Sequence, residues 1–272
     1  FRQMKYMRIY PNEITYICIL KACGILRSLE VGTAIDAEVR KQGILQKGNM
    51  LGIALVDMYS KCGALSKAQE VFDQLPEQNV VSWNALIAGY AQNGFGDEAL
   101  ECFRQMQNVG TCSDDVTYVC VLKACGIVRS LEIGKDIHAE VRKRGLLKKV
   151  IIGNALVDMY SKCGAIEKAR EVFEQLPEKN VVSWNTLITG YVQIGFGDET
   201  LECFRQMQNE GASPDVVTYV CILKACGILG CLEIGKEIDT KVREQGLLQD
   251  CVVLGNALVD MYSKCGVLEK AQ

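Results

Sequence analysis

From Val80 onward, Trp83, Leu86, Ile87 and Tyr90 fall at i, i+3, i+4 and i+7, which lines one face of a helix, and Asn93-Gly94 ends it. A second apolar stripe follows at Ala99, Phe103 and Met106 and stops near Gly110. Elsewhere Ala68, Phe72 and Leu75 repeat the second stripe, but Pro76 follows at once and shortens the helix, and Pro177 does the same further on. Each phrase predicts two helices, neither of which can bury its stripe alone. Stacked pairs can. The expected fold is all-α, a right-handed α-solenoid superhelix of helix-turn-helix repeats with one lining made of first helices.

Whole phrases recur as well. NVVSWN stands at 79–84 and 180–185, LVDMYSKCG at 55–63, 156–164 and 258–266, and LKAC at 20–23, 122–125 and 223–226. Trp83 to Trp184 and Tyr59 to Tyr160 are both 101 residues, and Tyr160 to Tyr262 is 102. A fixed internal period calls for a repeat architecture. The period divides into modules 13–48, 49–79, 80–114, 115–149, 150–180, 181–215 and 216–251, with partial modules at 1–12 and 252–272. The opening Phe1-Arg2-Gln3-Met4 matches Phe103 to Met106 and the closing Ala271-Gln272 matches Ala68-Gln69, so the chain is expected to start and stop inside helices, as a piece of a longer protein.

Composition narrows this picture. Of 272 residues 49% are hydrophobic and only 7% aromatic, which suits many small helix interfaces rather than one large core. No apolar run reaches the ~18 residues of a membrane span, so no membrane partner is expected. The opening residues lack a secretory pattern. Fourteen cysteines recur at fixed module positions, among them Cys23, Cys125 and Cys226, and read as small core residues in a reducing compartment. Their i, i+5 spacing fits no zinc knuckle, so neither metal nor cofactor is expected. A net charge of −3 argues against a broad nonspecific nucleic-acid binder while allowing a local basic track.

Trp, Leu, Tyr, Ala and Phe at these intervals also outline the tetratricopeptide pair, which usually binds peptides. The other face of the first helix separates the two. Numbered within each module, positions 2, 5, 9 and 13 share roughly one face. In the modules opening at Val80 and Val181, position 2 is Val81 or Val182, position 5 is Asn84 or Asn185, and the last residue is Asp114 or Asp215. With 36-, 31- and 35-residue modules alternating in fixed order, the whole chain resembles a pentatricopeptide repeat protein of the plant PLS subclass. On that resemblance 13–48, 115–149 and 216–251 are L-like, 49–79, 150–180 and the partial 252–272 are S-like, and 80–114, 181–215 and the partial 1–12 are P-like.

The resemblance implies sequence-specific binding of single-stranded organellar RNA, one base per module. Apolar position 2 (Val81, Val116, Ile151, Val182, Val217 and Val253) would sandwich bases, position 5 would read the Watson–Crick edge, and the terminal residue would orient it. An asparagine amide holds both a donor and an acceptor, which suits a pyrimidine edge. Asn84 with Asp114 and Asn185 with Asp215 should then prefer uracil, and Asn154 with Asn180 a pyrimidine, cytosine first; Asn256 is the next position 5. Ile17, Val119 and Val220 in the L-like modules cannot hydrogen-bond a base, and Ile53 breaks the S-like pattern. With parallel polarity, 80–215 predicts U, any, pyrimidine, U.

Candidate phosphate contacts are Lys61, Lys162 and Lys264 at position 13 and Lys21, Lys123 and Lys224 at position 9, each equally readable as a solvated helix lysine. The asparagines have a plain reading too, as caps or solvated residues. Position 2 has a packing alternative. His138-Ala139-Glu140 spells half of a zinc deaminase signature, but no P-C-x-x-C follows and sister modules carry Asp36-Ala37-Glu38 and Asp239-Thr240-Lys241, so catalysis is not expected. This stretch is read as a binder and not an enzyme. For the longer protein the resemblance implies chloroplast or mitochondrial C-to-U editing, with a deaminase-bearing partner or editing cofactor proteins and without DNA. A protein-interaction scaffold within an editing or RNA-processing complex is the alternative.

Overall fold

Five first helices begin at a side-chain cap that the sequence places just before their apolar stripe. Asn12, Asn79, Asp114, Asn180 and Asp215 all hold extended backbone, and each accepts a hydrogen bond from an N–H in the first turn that follows. The computed structural model describes residues 1–7, 9–43, 49–249 and 251–267. The expected match of Ala271-Gln272 to a helix interior lies outside these residues.

Every described helix is α apart from one 3-10 turn, Leu146–Lys148, and no strand occurs among the described residues. The chain divides into two compact units, Phe1–Ile133 and Gly134–Gln272. Unit 1 holds α1 (Arg2–Tyr6), α2 (Glu13–Ile25), α3 (Leu29–Lys41), α4 (Asn49–Lys61), α5 (Leu65–Asp73), α6 (Val80–Gln92), α7 (Gly96–Asn108) and α8 (Asp115–Val128). The division falls within α9 (Leu131–Lys143). Unit 2 continues through α10 (Val150–Lys162), α11 (Ile166–Glu174), α12 (Val181–Gln193), α13 (Gly197–Asn209), α14 (Val216–Leu229), α15 (Leu232–Glu244) and α16 (Val252–Lys264).

Within unit 1 the first helices α2, α4 and α6 each pack on their own second helix and on the next first helix, the row ending at α8. Unit 2 repeats this along α10, α12, α14 and α16. The fold class is the α-solenoid expected from the period. No described helix is long and apolar enough to cross a membrane.

The stripes go where their spacing aims them. Trp83, Leu86 and Ile87 are buried, as are Ala99, Phe103 and Met106 on the facing helix. Phe72 meets Trp83 edge-on with ring centroids 4.6 Å apart, and Phe173 meets Trp184 at 4.7 Å. Such pairs add about 0.5–1.5 kcal/mol beyond burial of their area. Pro76 and Pro177 stand beyond α5 and α11, which hold 9 residues where α7 and α13 hold 13. Cys23, Cys125 and Cys226 are buried within the helical core.

First helices approach closely at small residues. A Cβ on Gly89 would lie 2.6 Å from Ser60 Cβ, and one on Gly190 would lie 2.8 Å from Ser161 Cβ. Helix ends differ at one repeated position. Arg27 and Arg129 hold left-handed backbone at φ 50° and 54°, where the third copy has Gly230 at 69°. An L side chain there costs about 1–2 kcal/mol that glycine avoids.

Two stability tests follow from these positions. Arg129→Gly, which copies Gly230, should raise the unfolding free energy by about 1 kcal/mol, read from the denaturant midpoint; an unchanged midpoint would refute strain at this turn. Gly89→Ala should cost about 1–3 kcal/mol through overpacking against Ser60.

Candidate functional site

Position 2 of every first helix is aliphatic and stands in solvent. Ile14, Met50, Val81 and Val116 in unit 1, and Ile151, Val182, Val217 and Val253 in unit 2, are each more than half exposed. Exposing one such side chain is ordinary; doing so at the same register in each module leaves an apolar surface that packing has not used. These residues are therefore not consumed in holding modules together.

Three residues later the character reverses. Asn84 and Asn185 are only 6% and 8% exposed, and both are tied into the start of the next first helix. Asn84 Nδ2 donates to Asp114 Oδ1 at 2.9 Å, while Thr117 Oγ1 donates to Asn84 Oδ1 at 2.7 Å. Asp114 is at the same time the N-cap of α8, its Oδ1 accepting from Thr117 N at 2.9 Å and its own N–H donating to Thr117 Oγ1. Unit 2 repeats the knot: Asn185 Nδ2 to Asp215 Oδ1 at 2.9 Å, and Thr218 Oγ1 to Asn185 Oδ1 at 2.6 Å.

This arrangement decides the amide's orientation. With carboxylate on the nitrogen side and hydroxyl on the oxygen side, a flipped amide would face acceptor to acceptor. One N–H and one carbonyl lone pair of each asparagine remain uncommitted. Partial burial raises the Asp114 carboxyl, but the Thr117 N–H, the Asn84 amide and the Thr117 hydroxyl outweigh it and leave the acid below its ordinary range. The same terms, with Thr218 and Asn185, depress Asp215. Both carboxylates are held charged, as an orienting acceptor must be.

Thr117 and Thr218 escaped the sequence reading. Both are fully buried. The D-x-x-T phrase at 114–117 and 215–218 was the available signal, a capping box with threonine at its third helical position.

The expected Asn154 and Asn180 pair is not drawn together in this way. Asn180 Oδ1 accepts from Ser183 N and from Ser183 Oγ, at 3.0 and 3.2 Å, so the serine stays on its own cap, whereas the threonines touch their caps and also reach the preceding asparagine. Asn154 Oδ1 is buried without a hydrogen-bond partner. Asn256 is exposed, and Ile17, Ile53, Val119 and Val220 are half-buried.

The lysines separate into two sets. Lys61, Lys162 and Lys264 each pair with the aspartate one turn earlier, Asp57, Asp158 and Asp260, at 2.6–2.8 Å. Each couple is neutral, so position 13 adds no net positive charge. Lys21, Lys123 and Lys224 are exposed and have no ion pair among the described residues. Any basic track rests on position 9.

The chain has relatives among known proteins. Models of the PPR repeat family match residues 78–126 and 179–227, and of the PPR repeat residues 54–80 and 154–181, together more than half of the chain. A chloroplastic pentatricopeptide repeat-containing protein of Arabidopsis thaliana is 39% identical over 96% of the chain and 42% of its own length. A mitochondrial one is 38% identical over the whole chain and 26% of its own length. The chain thus spans less than half of these relatives. The crystal structure of the pentatricopeptide repeat protein PPR10 in complex with an 18-nt psaJ RNA element shares the fold, with TM-score 0.74 and 18% identity, over 99% of this chain and 40% of that one.

Thr218→Val should loosen the α14 cap and cost about 1 kcal/mol. It should also return the Asp215 titration toward its ordinary range, as read by NMR. In the unaltered protein the Asp215 contribution is present above the ordinary aspartate pKa and is lost as pH falls through the depressed value. An Asp215 titration unmoved by Thr218→Val would contradict the hydrogen-bond origin of the shift.

Proposed function

The chain belongs to the pentatricopeptide repeat family, and on that footing we propose that it binds single-stranded RNA sequence-specifically, one base per module. The observation that carries this reading is the pairing of an exposed aliphatic residue with a locked asparagine three positions on, in the modules opening at Val80 and Val181. Apolar faces such as Val81 and Val116 offer contact to the flat of a base. The uncommitted N–H and lone pair of Asn84 match the O4 and N3–H of uracil.

With chain and RNA parallel, 80–215 reads U, any, pyrimidine, U. The second module reads nothing because Val119 has no hydrogen-bonding group. Asn154, whose amide is not locked by its neighbours, accepts either pyrimidine. Lys21, Lys123 and Lys224 meet phosphates, and salt dependence is shallow because so few phosphate contacts release few counterions. The alternation of module types supports the PLS subclass, and with it a role in selecting cytidines for C-to-U editing in chloroplast or mitochondrion. Deamination itself would come from another domain or a partner.

Selection of the chain against a random single-stranded RNA pool at fixed salt tests the reading. Enrichment of a U, any, pyrimidine, U core is expected. Asn84→Ala with Asn185→Ala should weaken binding to that core by about 1–3 kcal/mol per position and erase the uridine preference. No enrichment from a folded monomer would overturn base reading for this stretch.

A further inference from the structure

The three L-like modules share a buried junction at which one copy departs from its sisters. In the first copy Asp36 accepts from Arg40 Nε at 2.8 Å and from the Tyr59 hydroxyl at 2.7 Å. In the third copy Asp239 makes the same contacts with Arg243 and with the Tyr262 hydroxyl, at 2.6 and 2.8 Å. The middle copy has His138 in place of the aspartate.

His138 keeps the tyrosine contact, Nδ1 lying 2.8 Å from the Tyr160 hydroxyl, but it cannot neutralise Arg142. Arg142 consequently makes no ion pair among the described residues. Around it, α9, α10 and α11 frame an open cleft of about 410 Å³ lined by Lys135, His138, Arg142, Lys143, Tyr160 and Lys168. Among the described residues only Lys168 of these cations has an ion-pair partner, Glu171. His138 lines this cleft and is 5% exposed, and its Nε2 is buried without a hydrogen-bond partner. When the Tyr160 hydroxyl donates to Nδ1, Nε2 carries the ring proton and is a donor with nothing to receive it.

We propose that this cleft is a second binding site, for a small anion bearing a phosphate group. Phosphate oxygens accept from guanidinium, ammonium and imidazole N–H together, which satisfies Nε2 and replaces the carboxylate that the sister modules supply. Its volume is in the range of small-ligand sites. Tyr160 and Ile151 are nine residues apart on α10, which puts the cleft on the opposite side of that helix from the exposed position 2. The site is therefore separate from the RNA-reading surface and does not depend on that reading.

Calorimetric titration of the chain with orthophosphate, adenosine 5′-monophosphate and adenosine tests it. Saturable binding of the first two and none of adenosine is expected. His138→Asp installs the residue that both sisters use, so it folds; it should weaken phosphate binding at least tenfold, because the new carboxylate pairs with Arg142 and repels the anion. Arg142→Gln should act in the same direction. Failure of the folded chain to bind either phosphate at millimolar concentration, or unchanged binding by His138→Asp, would overturn the proposal. Displacement of orthophosphate by single-stranded RNA would overturn the small-anion assignment and make the cleft a backbone contact.

Discussion

A single carboxylate oxygen, Oδ1 of Asp114, holds together the parts of the structure that bear on function. It accepts from the backbone of Thr117, which starts α8, and from the amide of Asn84, which fastens α6 to α8. Helix initiation, contact between successive first helices and orientation of a recognition group are thus one set of hydrogen bonds. Asp215 does the same between α12 and α14. Because the charged acceptor holds several donors at once, the amide is locked before any ligand arrives, and little ordering cost remains for binding.

Variation between copies is informative because the surroundings stay constant. Between module types two residues change together: Asn180 and Ser183 stand where the neighbouring modules have Asp114 and Thr117 or Asp215 and Thr218, and Asn154 lacks the clasp that Asn84 and Asn185 have. Histidine for aspartate at 138 unbalances a junction that is neutral in both sisters. Arginine for glycine at 129 retains a left-handed turn at a cost. Near-identical repeats thus serve as internal controls, each substitution set against a copy that lacks it.

Much of the fold was legible in the residues. The 3.6-residue stripes, the Asn and Asp caps and the glycine stops are local signals, and the period repeats each of them, so helix starts at Val80, Asp115, Val150, Val181 and Val216 coincide with module openings. The recognition asparagines were legible by position. The aspartates facing Lys61, Lys162 and Lys264 were also legible, one turn earlier on the same helix.

By itself, then, the sequence determined where helices begin and end, which stripe each buries, and which residue types recur at each register, since these depend on neighbours within a turn or two. Only the tertiary structure decided which polar groups meet. Asn84 and Asp114 are 30 residues apart, and His138 and Tyr160 are 22 apart. A hydrogen bond is short and directional, so whether an amide is locked like Asn84 or left open like Asn154 depends on ångström-scale placement between separate helices. That placement comes from packing of the stripes, which no local pattern encodes.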